Sequence, residues 1–320
     1  MTKRTAISLT GGLGNQLFQL SAALQVANGG PIMLVRHLGG PREHRTGEPD
    51  ICGFYLGSQV QLLPYGRVTS QVSRRVNSLA FRSGVLEGRF ENLSIPKRAI
   101  SLGASILTKI DFGSYYRVRV SNGVGFDPRV YKFKQGSLLI GYFQTWRFSS
   151  AANVSTALGG PTPIHGSKYF EEMRARSSIE HPLVIHVRMG DYRQNPEFGI
   201  LGRSYYERSL AELRARDPGQ IANVWLFSDE PQEALKMLSG LLTESKVTVV
   251  EPPTPADHPA TVLSIMSLGH AFILANSTFG YWAASLSKAD PEAVSIPEPW
   301  FARTPPIPLL SPPRWRRISR

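Results

Sequence analysis

From Pro182 to Pro297 short apolar runs alternate with amphipathic segments at a regular spacing, and that order predicts one architecture, a doubly wound parallel sheet with helical crossovers. The strand-like runs are Leu183–Arg188, Asn223–Phe227, Lys246–Val250, Ala271–Ala275 and Ala293–Ile296. Between them lie helix-like segments at Tyr205–Arg216, Gln232–Leu242 (opened by Pro231), Ala260–Leu268 and Phe279–Leu286. The first half starts the same way, with a strand at Ala6–Leu9, a glycine loop, a helix over Asn15–Ala27, a strand at Ile32–Val35 and a strand-like run at Gly136–Tyr142. A chain of 320 residues is long for one core and natural for two domains. The expected organisation is therefore α/β, with one domain over 1–150, a connection over 151–181 marked by Gly-Gly-Pro and Pro-Ile-His-Gly, and a second, doubly wound domain over 182–297. A tail over 298–320, rich in Pro and Arg, reads as an extended wrap or disorder.

The net charge is +12, which points to an anionic partner: nucleic acid, phospholipid, or the phosphates of a sugar nucleotide. Ten basic against three acidic residues fall between Gln61 and Val120, and Arg303, Arg314, Arg316, Arg317 and Arg320 sit without an acid in the last twenty residues. Two readings stand: a solvated basic surface, or one that meets anionic lipid. A single cysteine, Cys52, rules out an intrachain disulfide and suits a reducing compartment. Met1-Thr2-Lys3-Arg4 runs straight into a strand-like segment, with no leader-like apolar core, so the expectation is a cytoplasmic protein. Pro259–Ser287 carries no charged side chain and is long enough to span a bilayer, yet its pattern changes from helix-like to strand-like and back. A buried helix–strand–helix unit fits it better.

Three loops carry the chemistry, each after a strand. Gly11-Gly12-Leu13-Gly14-Asn15-Gln16 lets a backbone approach a ligand at a helix N-terminus. It lacks the dinucleotide spacing and the acid that ends the second strand, which disfavours a nicotinamide enzyme; a tight turn is its plain alternative. In His186-Val-Arg-Met-Gly-Asp191 the alternation puts His186 and Arg188 on one face. Arg188 either pairs with Asp191 as structure, or neutralises a diphosphate as a sugar leaves, or does both. Ser228-Asp229-Glu230 ends another strand, where Asp229 either accepts from a guanine edge or caps the next helix. Asn276-Ser277-Thr278 precedes a helix and either binds phosphate or caps it. The histidines are scattered and no Asp-x-Asp occurs, so no metal site is expected.

In order along residues 7–301, these segments together with Gly141-Tyr142-Phe143-Gln144, Ser204-Tyr205-Tyr206, Phe227-Ser228-Asp229, Asn276-Ser-Thr-Phe-Gly-Tyr-Trp282 and Pro299-Trp300-Phe301 resemble the α-1,2-fucosyltransferases of glycosyltransferase family 11. The resemblance implies a GT-B fold, two Rossmann-like domains with parallel sheets facing a central cleft, with residues 1–150 on the acceptor side; residues 39–60, rich in Gly, Arg and acids, read as a long acceptor loop. It implies inverting, metal-independent transfer of L-fucose from GDP-fucose to the 2-hydroxyl of a terminal galactose, with no cofactor. Arg188 would bind the β-phosphate, with Asn15 and Asp191 beside it in catalysis. His186 and Asp229 would lie near the guanine, Ser277 and Thr278 would hold phosphate oxygens, Ser228 and Asn276 would be among the donor-binding residues, and the Gly12–Gly14–Asn15 loop would close over diphosphate and fucose. The catalytic base is not assigned. Two departures from the family pattern are Met189, where a second arginine is common, and Gly280-Tyr281-Trp282, where Ser-Trp-Trp is common. The implied partners are GDP-fucose, a galactose-terminated glycan, free or lipid-linked, and an anionic inner membrane face; nucleic acid is not among them, because a nucleic-acid protein leaves the three loops unexplained. Other sugar nucleotides on the same scaffold, or a silent GDP-sugar binder, are the alternatives.

Overall fold

A computed structural model describes residues 3–35, 48–63, 117–121, 124–251, 258–303 and 306–320. The chain divides into two units, Met1–Gly160 with Ile307–Leu310, and Pro161–Pro306 with Ser311–Arg320. Most of the basic stretch between 61 and 120, and residues 39–47 of the expected acceptor loop, lie outside the described residues.

The first unit is built on five parallel strands, β1 (Thr5–Ser8), β2 (Ile32–Val35), β3 (Val60–Leu62), β4 (Arg117–Val120) and β5 (Ser137–Ile140), in the order β3-β2-β1-β5-β4. Helix α1 (Leu13–Ala27) follows β1, and its apolar residues Leu13, Leu17, Phe18, Leu20, Ala23 and Val26 are all buried. Gln16 and Gln19 are buried with them, so their amides must be hydrogen-bonded. Gln16 donates to Gly11 O (2.9 Å) and accepts from Ile51 N (2.9 Å); Gln19 accepts from Thr10 N (3.0 Å) and donates to Gly141 O (3.0 Å). Two side chains of one helix thus fix the loops around its own start.

The second unit has six parallel strands, β6 (Leu183–Val187), β7 (Asn223–Ser228), β8 (Lys246–Val249), β9 (Ala271–Ile273), β10 (Val294–Glu298) and β11 (Arg316–Ser319), in the order β11-β10-β9-β6-β7-β8. The crossovers carry helices Arg203–Arg216, Pro231–Leu238, Pro259–Met266 and Thr278–Leu286. The uncharged stretch 259–287 is the helix–strand–helix unit its pattern suggested, and no helix among the described residues is long and apolar enough to cross a membrane.

Two stretches differ from the sequence expectation. Residues 151–181, expected as a connection, hold two helices, Ala151–Ala157 in the first unit and Ser167–Glu180 in the second. Ser150 caps the former through its hydroxyl, which accepts from Asn153 N (3.2 Å), and Phe170, Met173 and Ser177 give the latter a narrow buried face. The tail is the other. Leu309 O accepts from Thr145 Oγ1 (2.6 Å) in the first unit, while β11 pairs in parallel with β10 and buries Ile318. Its arginines are used internally. Arg314 pairs with Asp290 (3.4 Å) and Glu292 (3.3 Å), Arg316 with Glu212 (3.1 Å), and Arg320 donates to the carbonyls of Phe198 (3.0 Å), Gly199 (2.8 Å) and Trp300 (3.1 Å). Residues 316–319 of the tail thus form an edge strand, with Arg303 and Arg317 left exposed.

Candidate functional site

In an open parallel sheet, ligands bind beyond the carboxyl ends of the strands where the strand order reverses. In the second unit that point lies between β6 and β9, because β7 and β8 extend the sheet on one side and β10 and β11 on the other. The loops leaving β6 and β9 carry Arg188–Asp191 and Asn276–Thr278, so the topology brings together two of the three motifs.

Arg188 is the centre of the first. Its guanidinium meets Asp191 (2.8 Å) and Asp229 (3.2 Å) and lies over the Tyr192 ring (5.7 Å), with 36% of its side chain exposed. A guanidinium has five N–H donors, so donors remain for an anion from solvent, which competes with the two carboxylates. Asp229 is fixed from the other side, since its Oδ1 accepts from Met189 N (3.0 Å). Its neighbour Gly190 is needed there: a Cβ on it would lie 2.8 Å from Asp229 Oδ2. Asp229 does not cap the following helix; Glu230 holds that position, with no side-chain cap bond.

His186 is buried at the end of β6, and burial, reinforced by the Arg188 charge and opposed by Asp229, pushes its imidazole down to about 4. It is therefore neutral at neutral pH. Its ring lies against the helix Thr278–Leu286 at Gly280, where a Cβ would fall 2.6 Å from Nδ1. Gly280 belongs to one of the two departures from the family wording, and a side chain there would meet this ring.

Several candidate residues serve the architecture. Ser277 caps its helix, its hydroxyl accepting from Phe279 N (3.3 Å), and Thr278 is the first helical residue. Asn276 donates to Phe198 O (2.9 Å) and Gly199 O (3.3 Å), and its own carbonyl accepts from Tyr192 O–H (2.9 Å). Burial raises the Tyr192 phenol, which keeps this donor protonated. Ser228 Oγ accepts from Glu230 N (3.0 Å). The backbone N–H groups at the start of the helix, rather than these side chains, are what the second loop offers an anion.

In the first unit the strand order reverses between β1 and β5. Gly12 is the N-cap of α1, Gly14 lies buried in its first turn, and Asn15 is half-buried beside them. Asn15 Oδ1 accepts from Gln144 Nε2 (2.9 Å), across from the loop after β5. Tyr192, Asp229 as the second partner of Arg188, and Gln144 are positions that motif reading alone did not single out for these contacts. Their partners lie 84, 41 and 129 residues away in the chain, and only the fold brings them close.

Each unit is thus a parallel-sheet nucleotide-type fold with polar loops at its switch point, the two-unit α/β plan of GT-B proteins. Residues 165–300 match the model of glycosyl transferase family 11. The O-antigen biosynthesis glycosyltransferase WbnK from Escherichia coli is 28% identical over 122 residues, covering 37% of this chain and 38% of the relative. An alpha-1,2-colitosyltransferase, also from Escherichia coli, is 28% identical over 168 residues, covering 50% of this chain and 55% of the relative. The match thus spans about half or less of the length of these curated relatives. Among solved structures, the fucosyltransferase NodZ from Bradyrhizobium aligns over 90% of this chain and 94% of that chain, with 14% identity and a TM-score of 0.44.

Proposed function

We propose that the protein is an inverting glycosyltransferase that moves L-fucose from GDP-fucose to the 2-hydroxyl of a terminal galactose. The observation that carries this reading is Arg188 at the β6/β9 switch point, within the segment matching family 11. In the reaction the galactose O2 attacks C1 of fucose as the bond from C1 to the β-phosphate oxygen breaks. The electron pair leaves with GDP, and the O2 proton passes to the phosphate or to a carboxylate. Arg188 opposes the charge that grows on the departing phosphate, which such groups do best when positioned beforehand. Asp191 and Asp229 hold the guanidinium in place before the donor arrives. The helix start at Ser277–Thr278 supplies backbone N–H groups to the diphosphate, and neutral His186 and Asp229 lie toward the base. In the first unit, taken by itself, Gly12, Gly14 and Asn15 form a polar loop suited to sugar or phosphate oxygens. In this reading Arg188 and the helix N-terminus carry the charge stabilisation themselves.

The acceptor in this reading is a galactose-terminated glycan, free or lipid-linked, presented at the cytoplasmic face of a membrane. The match to a colitosyltransferase supports a second reading in which another sugar is transferred from the same class of donor. The test is product analysis with a galactoside acceptor and GDP-fucose, GDP-mannose or a UDP-sugar in parallel. An α-1,2-fucosyl product formed from GDP-fucose alone supports the proposal; transfer from a UDP-sugar in preference overturns it.

A further inference from the structure

Gln144 is the side chain at the first unit's switch point that the proposed reaction leaves unused. It is 5% exposed, and its loop is pinned at several points. Its backbone N donates to Val124 O (2.7 Å), Gly141 O accepts from Gln19, Gly141 sits at φ 154°, and Phe143 holds the left-handed φ of 55° with its ring fully buried. A bulky residue keeps that φ only where its surroundings impose it. Gln144 is thus a fixed amide aimed at a less buried one, donating from Nε2 to Asn15 Oδ1 at 2.9 Å. Its own Oε1 is buried without a partner among the described residues. The opposite orientation of the pair would orphan an NH2 group with two donors instead of one carbonyl, and orphaned donors are the rarer arrangement.

We infer that Gln144 is a positioning residue that fixes the polarity of Asn15. With Oδ1 committed to Gln144, Asn15 turns its Nδ2 away from the pair and offers N–H donors. Gly11, at φ 70°, makes room for that group, since a Cβ there would fall 2.4 Å from Asn15 Nδ2. Asn15 then recognises an oxygen lone pair on a sugar or phosphate, and its carbonyl is not available as a base. The assignment rests on the proposed transferase reading for the identity of that oxygen, and on the geometry alone for the polarity.

Two measurements on the full chain test it. The first needs no ligand: the unfolding free energies of N15A, Q144A and the double variant. A double variant no less stable than the worse single one supports the pairing, and strict additivity overturns it. The second uses Q144E. When protonated, the carboxyl group that this substitution introduces donates to Asn15 Oδ1 as the Gln144 amide does; when ionised, it only accepts and turns Asn15 Nδ2 inward. The nearby carboxylates among the described residues, Asp50 beside Gly12 and Asp127 hydrogen-bonded to Arg129, are present in both proteins. The kcat/KM of Q144E relative to wild type is expected to fall about tenfold or more between about pH 6 and about pH 9. A ratio that stays flat overturns the inference. A wild-type chain that binds GDP-fucose and transfers nothing defeats the catalytic reading by itself, and the double-variant unfolding measurement, which needs no ligand, still decides the pairing. Loss in GDP-fucose binding alone places the oxygen on the donor; loss only in the acceptor KM places it on the acceptor.

Discussion

His186 ties the stability of the second unit to pH in a way that can be worked out from its surroundings. The unfolded imidazole titrates at 6.5, and in the fold burial and Arg188 bring it down to about 4. Above about pH 6.5 the residue is neutral in both states and the shift has no effect. As pH falls below that value the unfolded chain takes up a proton that the folded one refuses, so stability declines until pH reaches about 4 and then no further on this account. With these two values the loss is roughly 1.5 kcal/mol near pH 5.5 and roughly 2.5 kcal/mol near pH 4.5. The assay is urea unfolding of wild type and His186→Leu across this range. The substitution shifts stability by an amount independent of pH, and other acid-sensitive groups such as His270, whose burial also lowers its imidazole, act on both proteins. The wild-type curve should therefore fall more steeply than the variant's by the amounts given. Parallel curves would refute the claim that His186 is held neutral.

Other predictions follow from single contacts. Arg188→Ala should lower kcat by about 100-fold or more while the chain still melts cooperatively, because the side chain is over a third exposed and Asp229 keeps its bond to Met189 N; near-normal turnover would remove Arg188 from the reaction. Arg320→Ala should destabilise the second unit by about 1–3 kcal/mol, since it strips partners from the carbonyls of Phe198, Gly199 and Trp300; an unchanged melting temperature would show that the edge strand does not depend on it. Gly280→Ala puts a methyl 2.6 Å from His186 Nδ1 and should cost about 1–3 kcal/mol of overpacking, which is roughly 2–4 °C of melting temperature per kcal/mol for a unit of this size. A melting curve matching wild type would mean that the ring has room to move.

What the sequence revealed depended on how local the signal was. The strands at Leu183, Asn223 and Ala271 were legible because each is a continuous apolar run, as buried parallel strands are. Strand β11 was not, since only Ile318 of its four residues is buried and Pro312 and Pro313 lead into it. The helix Ser167–Glu180 was masked in the same way by the Gly and Pro residues before it and by its narrow buried face. At the site, the pair Arg188–Asp191 is three residues apart and readable, but Asp229 and the Gln144–Asn15 contact depend on strand order. Of the amides near the start of α1, Gln16 and Gln19 are occupied in holding loops, which only the fold reveals, and Asn15 alone of the three is partly open.

The central claim is that the β6/β9 switch point binds a guanine nucleotide diphosphate, and calorimetric titration of the purified chain with GDP, GDP-fucose, ADP and UDP in the presence of EDTA tests it most directly. The account predicts binding of GDP and GDP-fucose in EDTA, lost in Arg188→Ala, with ADP and UDP weaker by about tenfold or more, the equivalent of one good hydrogen-bonded contact to the base. Equal affinity for the three diphosphates, or GDP binding undiminished in Arg188→Ala, would contradict it.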